Sequence, residues 1–315
     1  MSFLILIIGF IFLIKGADIF VEGAASIARK FNVPSMIIGL TIVAMGTSAP
    51  EAAVSITSSL AGQNDMSVAN VVGSNFFNIL MVLGVSSIIA KLPVQKDTIK
   101  KDAPFLIIVS TLLLFGLNLK ISRIEGVILL ALFTYFLIDT IKSAKKSSNK
   151  SDSDEIAATS DIEVSDEVSM PKTILVCIVG IVGIVLGGDM VVNSATSIAT
   201  SFGMSANLVG LTIVAVGTSL PEFVTSIVAI KKGETEIAIG NVIGSNIFNI
   251  LFVLGLATTI YPITISMFAL IDVIFMVAIT VLLYLFMKKD YSLVKKQGFI
   301  FVAVYIAYMI YTIIR

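Results

Sequence analysis

The sequence predicts an all-α integral membrane protein in which ten transmembrane helices form two inverted-topology five-helix repeats, with discontinuous helices at a midplane site. The composition, a series of long apolar runs and an internal repeat predict this fold class. Of the 315 residues, 57% are hydrophobic and 13% charged, and the mean hydropathy is +1.03. A soluble domain draws about 25% of its residues from Asp, Glu, Lys and Arg, so this chain has too few charges to coat a globule in water.

Apolar runs of roughly 17–25 residues mark membrane helices, and the breaks between such runs indicate ten of them. The predicted spans lie near 3–28, 34–61, 67–90, 103–119, 124–141, 173–199, 205–230, 236–258, 262–287 and 297–314. The long connection at 144–172 is rich in Ser, Asp and Glu, which predicts a disordered linker. We therefore expect three parts: an N-terminal repeat (1–143), the linker, and a C-terminal repeat (173–315).

The basic residues predict how the chain lies in the membrane. Alternate connections must lie on opposite sides, and one set holds 17 of the 21 Lys and Arg while the other set, with both termini, holds 3. Since cytoplasmic loops carry the excess of Lys and Arg, we expect a multi-pass protein of the cell membrane. Both termini are then extracytoplasmic, and the 144–172 loop is cytoplasmic.

An internal duplication divides the chain. An offset of 171 residues aligns GLTIVAMGTSAPEAAVSI (39–56) with GLTIVAVGTSLPEFVTSI (210–227), and NVVGSNFFNILMVLG (70–84) with NVIGSNIFNILFVLG (241–255). Each half carries five predicted spans, an odd number, so the second copy must enter the membrane from the opposite side. Inverted repeats that meet at a midplane site are characteristic of secondary transporters.

The composition excludes several function classes. The chain has one Cys, Cys177, and no His, so an intramolecular disulfide, a Cys cluster and an imidazole metal site are ruled out. The net charge is zero, which leaves no global basic field to recruit nucleic acid. We expect a secondary transporter rather than an enzyme, in a lipid bilayer, with no cofactor and no obligate protein partner.

Each repeat carries a carboxylate in the middle of an apolar segment, Glu51 in GTSAPE (46–51) and Glu222 in GTSLPE (217–222). Burial of an ionised carboxylate in a membrane is costly unless it is paired or bound to a cation, so such a residue indicates a functional site. The Gly and Pro of each motif predict a broken helix. Its freed carbonyls, on or near Ala44, Thr47, Ala215 and Thr218, would lie beside the hydroxyls of Thr47, Ser48, Thr218 and Ser219.

The second motif of each repeat is GSNFFN (73–78) or GSNIFN (244–249). The i, i+4 spacing puts Ser74 and Asn78 on one helix face, with Ser245 and Asn249 as their repeat mates, and the glycines allow close helix packing. Interhelical hydrogen bonding is the alternative interpretation of these polar residues. Their duplication next to a carboxylate favours a binding site.

The predicted ligands are all oxygen atoms, which suits hard cations such as Ca²⁺ and Na⁺. Two ionised glutamates are neutralised by one Ca²⁺ or by two Na⁺, so these ions should compete for the site. A third Na⁺ would leave the loaded carrier positively charged.

The paired GTSAPE and GSNFFN, GTSLPE and GSNIFN motifs closely resemble the alpha repeats of the sodium/calcium exchanger family, here at 39–84 and 210–255. The resemblance implies electrogenic antiport of extracellular Na⁺ for cytosolic Ca²⁺ by alternating access, in which the spans near 3–28 and 173–199 slide across a more rigid core. It places the calcium site on Glu51, Glu222, Thr47 and Thr218. It places the flanking sodium sites on Ala44, Thr47, Ser48 and Ser74, and on Ala215, Thr218, Ser219 and Ser245, with Asn78 and Asn249 at the centre.

One position departs from some members of the superfamily. Some prokaryotic relatives and the potassium-dependent branch carry Asp where this chain has Asn249, so the resemblance implies K⁺-independent transport. A proton/Ca²⁺ antiporter is the alternative function, and a Ca²⁺ or Mg²⁺ channel is a third hypothesis that leaves the inverted repeat unexplained.

Three further acidic residues lie within predicted spans. Asp18 and Asp189 are repeat mates that either line an ion path or hydrogen-bond a neighbouring helix. Lys15 lies one helical turn before Asp18, so we expect these two side chains to pair. The sequence offers no partner for Asp272.

Overall fold

The computed structural model describes residues 2–62, 64–114, 120–155, 170–204, 215–264 and 266–314. The described part consists almost entirely of helices, and four two-residue strands lie in the connections between some of them. In the first half the helices are α1 (Ser2–Lys30), α2 (Ser35–Thr47), α3 (Ala49–Leu60), α4 (Asn64–Phe76, continued to Ile89), α5 (Thr98–Asp102, continued to Leu112) and α6 (Arg123–Glu155). In the second half they are α7 (Met170–Ser201), α8 (Ala215–Gly217), α9 (Leu220–Lys231), α10 (Thr235–Ile260), α11 (Met267–Asp290) and α12 (Lys295–Ile314).

The described helices include six that are long and apolar enough to cross a membrane, and the bent pair α2 and α3 makes a seventh candidate. The predicted spans 103–119 and 205–230 are only partly described, because 115–119 and 205–214 lie outside the described residues. The all-helical membrane fold is confirmed, and the number of ten spans stays a prediction.

The predicted linker differs from the structure at its two ends. Helix α6 continues to Glu155 and helix α7 begins at Met170. Ala144, Lys145 and Lys146 are strong helix formers, which explains why α6 extends beyond the apolar run that precedes them. Residues 156–169 lie outside the described residues, so a disordered linker there stays a prediction.

Each repeat contains the predicted break before its glutamate. Helix α2 ends at Thr47, Ser48 has φ −84° and ψ 10°, and α3 leaves at an angle of 48° to α2. The repeat mate Ser219 has φ −93° and ψ 6° between α8 and α9. Pro50 and Pro221 lie in the first turns of α3 and α9, where the missing N–H removes no helical hydrogen bond. The break therefore places Glu51 and Glu222 in the first turn of a helix.

Glycines bring α1 and α7 into backbone contact along their length. A Cβ on Gly16 would lie 2.7 Å from the Ile184 nitrogen and 2.8 Å from the Gly180 oxygen. A Cβ on Gly187, the repeat mate of Gly16, would lie 2.7 Å from the Gly9 oxygen. Since larger residues do not fit at these positions, small residues at the interface determine how closely the two helices pack.

A second close helix contact positions the polar motifs. A Cβ on Gly39 of α2 would lie 2.7 Å from the Ile237 oxygen of α10, and a Cβ on Gly240 would lie 2.9 Å from the Gly39 Cα. Gly244 of the GSNIFN motif meets the backbone of Leu40 in the same way. The predicted role in helix packing is confirmed for Gly244, where α2 packs closely against α10. It is wrong for Gly73, because among the described residues a Cβ there would lie within 4 Å of no atom of another helix.

Two short strand pairs join the ends of the repeats. Strand β1 (Leu92–Pro93) pairs antiparallel with β4 (Ser292–Leu293), and β2 (Lys120–Ile121) pairs antiparallel with β3 (Ile263–Thr264). The 171-residue offset relates β1 to β3, so each repeat contributes a mate to each pair. No sequence pattern predicts these strands, because they are too short to show an alternation of apolar and polar residues.

Candidate ion-binding site

The two glutamates lie at the meeting of the two repeats, and both are completely buried. The Ser219 hydroxyl donates a hydrogen bond of 3.0 Å to Oε1 of Glu51, and the Ser48 hydroxyl donates one of 2.7 Å to Oε1 of Glu222. Each carboxylate is thus held by the serine that precedes the glutamate in the other repeat. Among the described residues, neither carboxylate forms a salt bridge, so two buried acidic groups lie together without a protein counter-charge.

The two threonines occupy different surroundings. The Thr47 hydroxyl lies 3.1 Å from the Val43 carbonyl oxygen and 3.1 Å from Oδ1 of Asn241. The Thr218 hydroxyl oxygen is buried without a hydrogen-bond partner. The Ala44 carbonyl, which the sequence predicts to be free, accepts from the Ser48 N–H at 3.0 Å. The side chain of Ala215 lies outside the described part of the structure.

The GSN motifs bring further oxygen atoms to the same region. The Ser74 hydroxyl donates to Oε1 of Glu51 at 3.5 Å, whereas the Ser245 hydroxyl contacts the Ala44 carbonyl at 3.4 Å. Asn78 and Asn249 are completely buried one helical turn further on. The structure therefore brings the predicted ligands of both repeats together, apart from Ala215, although Ser74 and Ser245 make different contacts.

Several oxygen atoms at this place have no hydrogen-bond partner. They are Oε2 of Glu51, Oε2 of Glu222, Oδ1 of Asn78, Oδ1 of Asn249 and Oγ1 of Thr218. In the described residues, every buried carboxylate or amide oxygen that lacks a partner belongs to this group, and the others are hydroxyls. Because an unpaired buried polar atom is costly, this group of oxygen atoms has the chemistry of a cation-binding site. Carboxylate, amide and hydroxyl oxygens are the ligands that Ca²⁺ and Na⁺ accept.

Two pairs of asparagines at the site are not among the predicted site residues. Nδ2 of Asn70 donates to the Glu51 carbonyl at 3.1 Å and to the Ser55 hydroxyl at 2.8 Å, and Asn241 makes the matching bonds to Glu222 and Ser226 at 3.4 and 3.1 Å. Asn75 and Asn246 bind each other's helices. All four are amides duplicated within apolar helices, and this sequence signal could have identified them.

The intramembrane aspartates lie away from the glutamates. Asp18 pairs with Lys232 at 3.0 Å, which replaces the predicted pairing with Lys15, an exposed residue. Burial opposes the charge of Lys232, but its hydrogen bonds to Asp18 and Glu22 outweigh this effect and raise the pKa of Lys232 above its ordinary value. Asp189 is exposed on α7. Asp272 lines a separate cavity of about 270 Å³ between α4, α11 and α12.

Proteins that are similar to this chain in sequence and fold include named sodium/calcium exchangers. The model of the family described as sodium/calcium exchanger protein matches residues 1–141 and 172–314. The chain is 42% identical to the putative antiporter CaxA of Alkalimonas amylolytica, over 81% of this chain and 80% of that protein. It is 32% identical to the sodium/calcium exchanger MaX1 of Methanosarcina acetivorans, over 98% of this chain and 97% of that protein.

The fold has solved relatives as well. The structure of the sodium-calcium exchanger NCX_Mj soaked with 2.5 mM Na⁺ and 0.1 mM Ca²⁺ matches with a TM-score of 0.84 and 32% identity, over 97% of this chain and 96% of that chain. The inverted-repeat exchanger fold predicted from the sequence is thus confirmed. With a matched family model, a matched fold and two buried glutamates where the repeats meet, this chain belongs to the sodium/calcium exchanger protein family and is a multi-pass membrane antiporter of cations and Ca²⁺.

Proposed function

We propose that this antiporter exchanges Na⁺ for Ca²⁺ and exports cytosolic Ca²⁺ at the expense of the Na⁺ gradient, by alternating access and without K⁺. The observation that carries the proposal is the group of five buried oxygen atoms without partners around Glu51 and Glu222. A proton needs one carboxylate, whereas a metal cation needs a shell of oxygen atoms. The names of MaX1 and NCX_Mj as sodium/calcium exchangers support Na⁺ as the coupling ion.

The charges of the proposed site bear on whether transport moves net charge. Two ionised glutamates balance one Ca²⁺ or two Na⁺, and no third carboxylate is available because position 249 is Asn. A third bound Na⁺ therefore leaves a net positive charge in the loaded site. Exchange of three Na⁺ for one Ca²⁺, the ratio implied by the resemblance to the exchanger family, would move charge and make the transport electrogenic.

The proposed ligands are Glu51 and Glu222 with the neutral oxygens around them. They comprise Ala44, Thr47, Ser48, Ser74 and Asn78 in the first repeat, and Ala215, Thr218, Ser219, Ser245 and Asn249 in the second. No step requires a cofactor, and Na⁺ and Ca²⁺ are the substrates.

The function is tested in liposomes loaded with Na⁺, in which ⁴⁵Ca²⁺ uptake is followed with an outward Na⁺ gradient or with choline in place of Na⁺. A proton ionophore is present throughout. We expect uptake only with the Na⁺ gradient, and we expect Glu51→Gln and Glu222→Gln each to reduce it by at least about 100-fold, since even outer-shell groups of a metal site are worth 10–100-fold. Equal uptake in choline would refute Na⁺ coupling and leave protons or a channel.

The orientation is a further part of the proposal: both termini are extracytoplasmic and the 144–172 loop is cytoplasmic. Its support is the distribution of Lys and Arg among the connections. In a Cys177→Ser background, a cysteine in place of Lys120 should react with an impermeant maleimide from outside the cell, and a cysteine in place of Lys96 should not. The reverse pattern would invert the topology.

A further inference from the structure

Four asparagines form a reciprocal set of hydrogen bonds between α4 and α10, which we call the asparagine clasp: Asn75, Asn78, Asn246 and Asn249. All four are buried, with at most 1% of the residue exposed. Nδ2 of Asn249 donates to Oδ1 of Asn75 at 3.2 Å, and Nδ2 of Asn78 donates to Oδ1 of Asn246 at 3.1 Å. Each bond therefore crosses from one repeat to the other.

Two backbone carbonyls determine which way these amides face. Nδ2 of Asn75 donates to the Asn246 carbonyl at 3.3 Å, and Nδ2 of Asn246 donates to the Asn75 carbonyl at 3.4 Å. A carbonyl oxygen only accepts, so the NH₂ end of each amide must face it. The oxygen end of Asn75 is then turned toward Asn249, and the oxygen end of Asn246 toward Asn78.

The orientations of Asn75 and Asn246 determine those of the Asn249 and Asn78 amides. Because Asn75 presents an oxygen, Asn249 must present its NH₂ group, and its own Oδ1 is left on the other side of the amide. The same holds for Asn78 against Asn246. Oδ1 of Asn78 and Oδ1 of Asn249 are the two amide oxygens that lack a hydrogen-bond partner. An amide rotated by half a turn would offer an NH₂ group instead, which repels a cation.

We propose that Asn75 and Asn246 are positioning residues: they bind the NH₂ groups of Asn249 and Asn78 across the repeat interface, so that both amide oxygens are presented to the transported cation. This inference rests on the proposed function. It also explains how a neutral residue serves at position 249, since the clasp holds the amide as an oxygen ligand.

The pairing across the repeats distinguishes a positioning role from a role in helix packing, because each asparagine should affect only the amide that it binds. Asn75→Ala removes the acceptor for Asn249 but leaves the Asn75 backbone carbonyl, which still binds Asn246. The Asn246 and Asn78 pair is therefore intact in this variant. Asn75 should act through Asn249 alone, and Asn246 through Asn78 alone.

The test is a pair of double-mutant cycles read by ⁴⁵Ca²⁺ binding to the purified protein and by the KM and kcat of Ca²⁺ transport. We expect Asn75→Ala to weaken Ca²⁺ binding by about 10-fold, within the range for groups that orient metal ligands, with KM affected more than kcat. In the Asn249→Ala background the same substitution should have little further effect. In the Asn78→Ala background its effect should be undiminished.

Controls separate positioning from folding. Thermal unfolding of each variant is measured in detergent, and Asn75→Ser, a smaller change that also removes the amide, replaces Asn75→Ala if that variant does not fold. Thr280→Val is the matched buried control, because the Thr280 hydroxyl bonds the Met276 carbonyl within α11; its Ca²⁺ affinity should equal that of the wild type.

Two results would overturn the proposal. One is an unchanged Ca²⁺ affinity in a folded Asn75 variant. The other is a loss of Ca²⁺ affinity on Asn75→Ala that is equally large in the wild type and in the Asn249→Ala background. Failure of the proposed function looks different. Wild-type protein that binds Ca²⁺ but takes it up equally in choline would refute Na⁺/Ca²⁺ exchange, while the binding cycles would still decide whether the clasp orients the amides.

Discussion

The two repeats make matching hydrogen bonds to each other's glutamate and asparagine side chains, but other polar residues near these bonds make different contacts in each repeat. Ser48 and Ser219 hold each other's glutamate at 2.7 and 3.0 Å, and the four amides of the clasp bond reciprocally. In contrast, the Thr47 hydroxyl is hydrogen-bonded and that of its repeat mate Thr218 is not. The duplication thus supplies the same residue types to both repeats, including the partners Val43 and Asn241 of Thr47 and their mates Val214 and Asn70, whereas the hydrogen bonds made by the two threonines differ.

The difference is larger at the ends of the helices. Lys232 binds Asp18 at 3.0 Å and Glu22 at 3.2 Å, and Arg29 binds Glu234 at 3.4 Å; all three ion pairs join α1 to the turn after α9. The repeat mate of Lys232 is Ala61, that of Glu234 is Gln63, and that of Arg29 is Thr200. Among the described residues, no ion pair joins α7 to the turn after α3, which are the repeat mates of α1 and of the turn after α9. In the alternating-access cycle proposed above, contacts made in one access state only would favour that state over the other.

The largest effect is expected where the repeats match. Gly16→Leu and Gly187→Leu each insert a side chain into the backbone contact between α1 and α7. Overpacking costs about 1–3 kcal/mol, so both should lower the Tm by about 2–12 °C, as measured by thermal unfolding in detergent. Val182→Leu, on the exposed face of α7, is the control and should have no effect. If only one of the two substitutions lowers the Tm, the two glycines do not contribute equally to the packing of α1 against α7.

An intermediate effect is expected where the repeats differ within the site. Thr218→Val removes a hydroxyl that has no protein partner, so it should raise the KM for the transported ions several-fold with an unchanged Tm. Thr47→Val breaks existing hydrogen bonds worth about 1 kcal/mol and should lower the Tm by about 2–4 °C, with a smaller change of KM. Thr→Ser at either position should restore the wild-type values, and the opposite pattern would contradict the difference seen between the two hydroxyls.

The smallest effect is expected at the unmatched ion pairs. Lys232→Ala removes the partner of Asp18 and Glu22, but partly exposed pairs contribute only about 0–1 kcal/mol. We expect a fall in Tm of less than about 3 °C at low ionic strength that disappears at high ionic strength, since salt screens these charges. Lys231→Ala, the exposed neighbour, is the matched control. An equal effect of both variants would mean that the α1 contact does not depend on Lys232.

Much of the fold and of the site could be predicted from the sequence because both are duplicated. Apolar length marks the spans, and identical Gly, Pro, Ser, Asn and Glu in two distant segments mark the functional positions. The local backbone follows as well: Asn32 and Gly203 are repeat mates, and both have positive φ, 50° and 86°. Glu51 and Glu222 were identified because a carboxylate in an apolar helix is costly to bury.

Long-range partners could not be predicted in the same way. The i, i+3 spacing favoured a bond between Lys15 and Asp18, yet Asp18 pairs with Lys232, more than 200 residues away in the sequence. Asn75 and Asn246 belong to the motifs that were singled out, but their roles depend on which carbonyl lies opposite each amide. Sequence spacing describes neighbours on one helix, and it contains no information about the helix that packs against it.

The sequence by itself determined that the protein lies in a membrane, that it consists of two inverted copies, and which oxygen-bearing residues lie within the membrane. The tertiary structure alone decided which of these oxygens accept hydrogen bonds from protein donors and which have no hydrogen-bond partner. The physical reason is that a side chain brings a fixed set of donors and acceptors, whereas their use depends on the close approach of α2 to α10 and of α4 to α10. That approach depends on glycine contacts such as Gly39 with Gly240, made between distant parts of the chain.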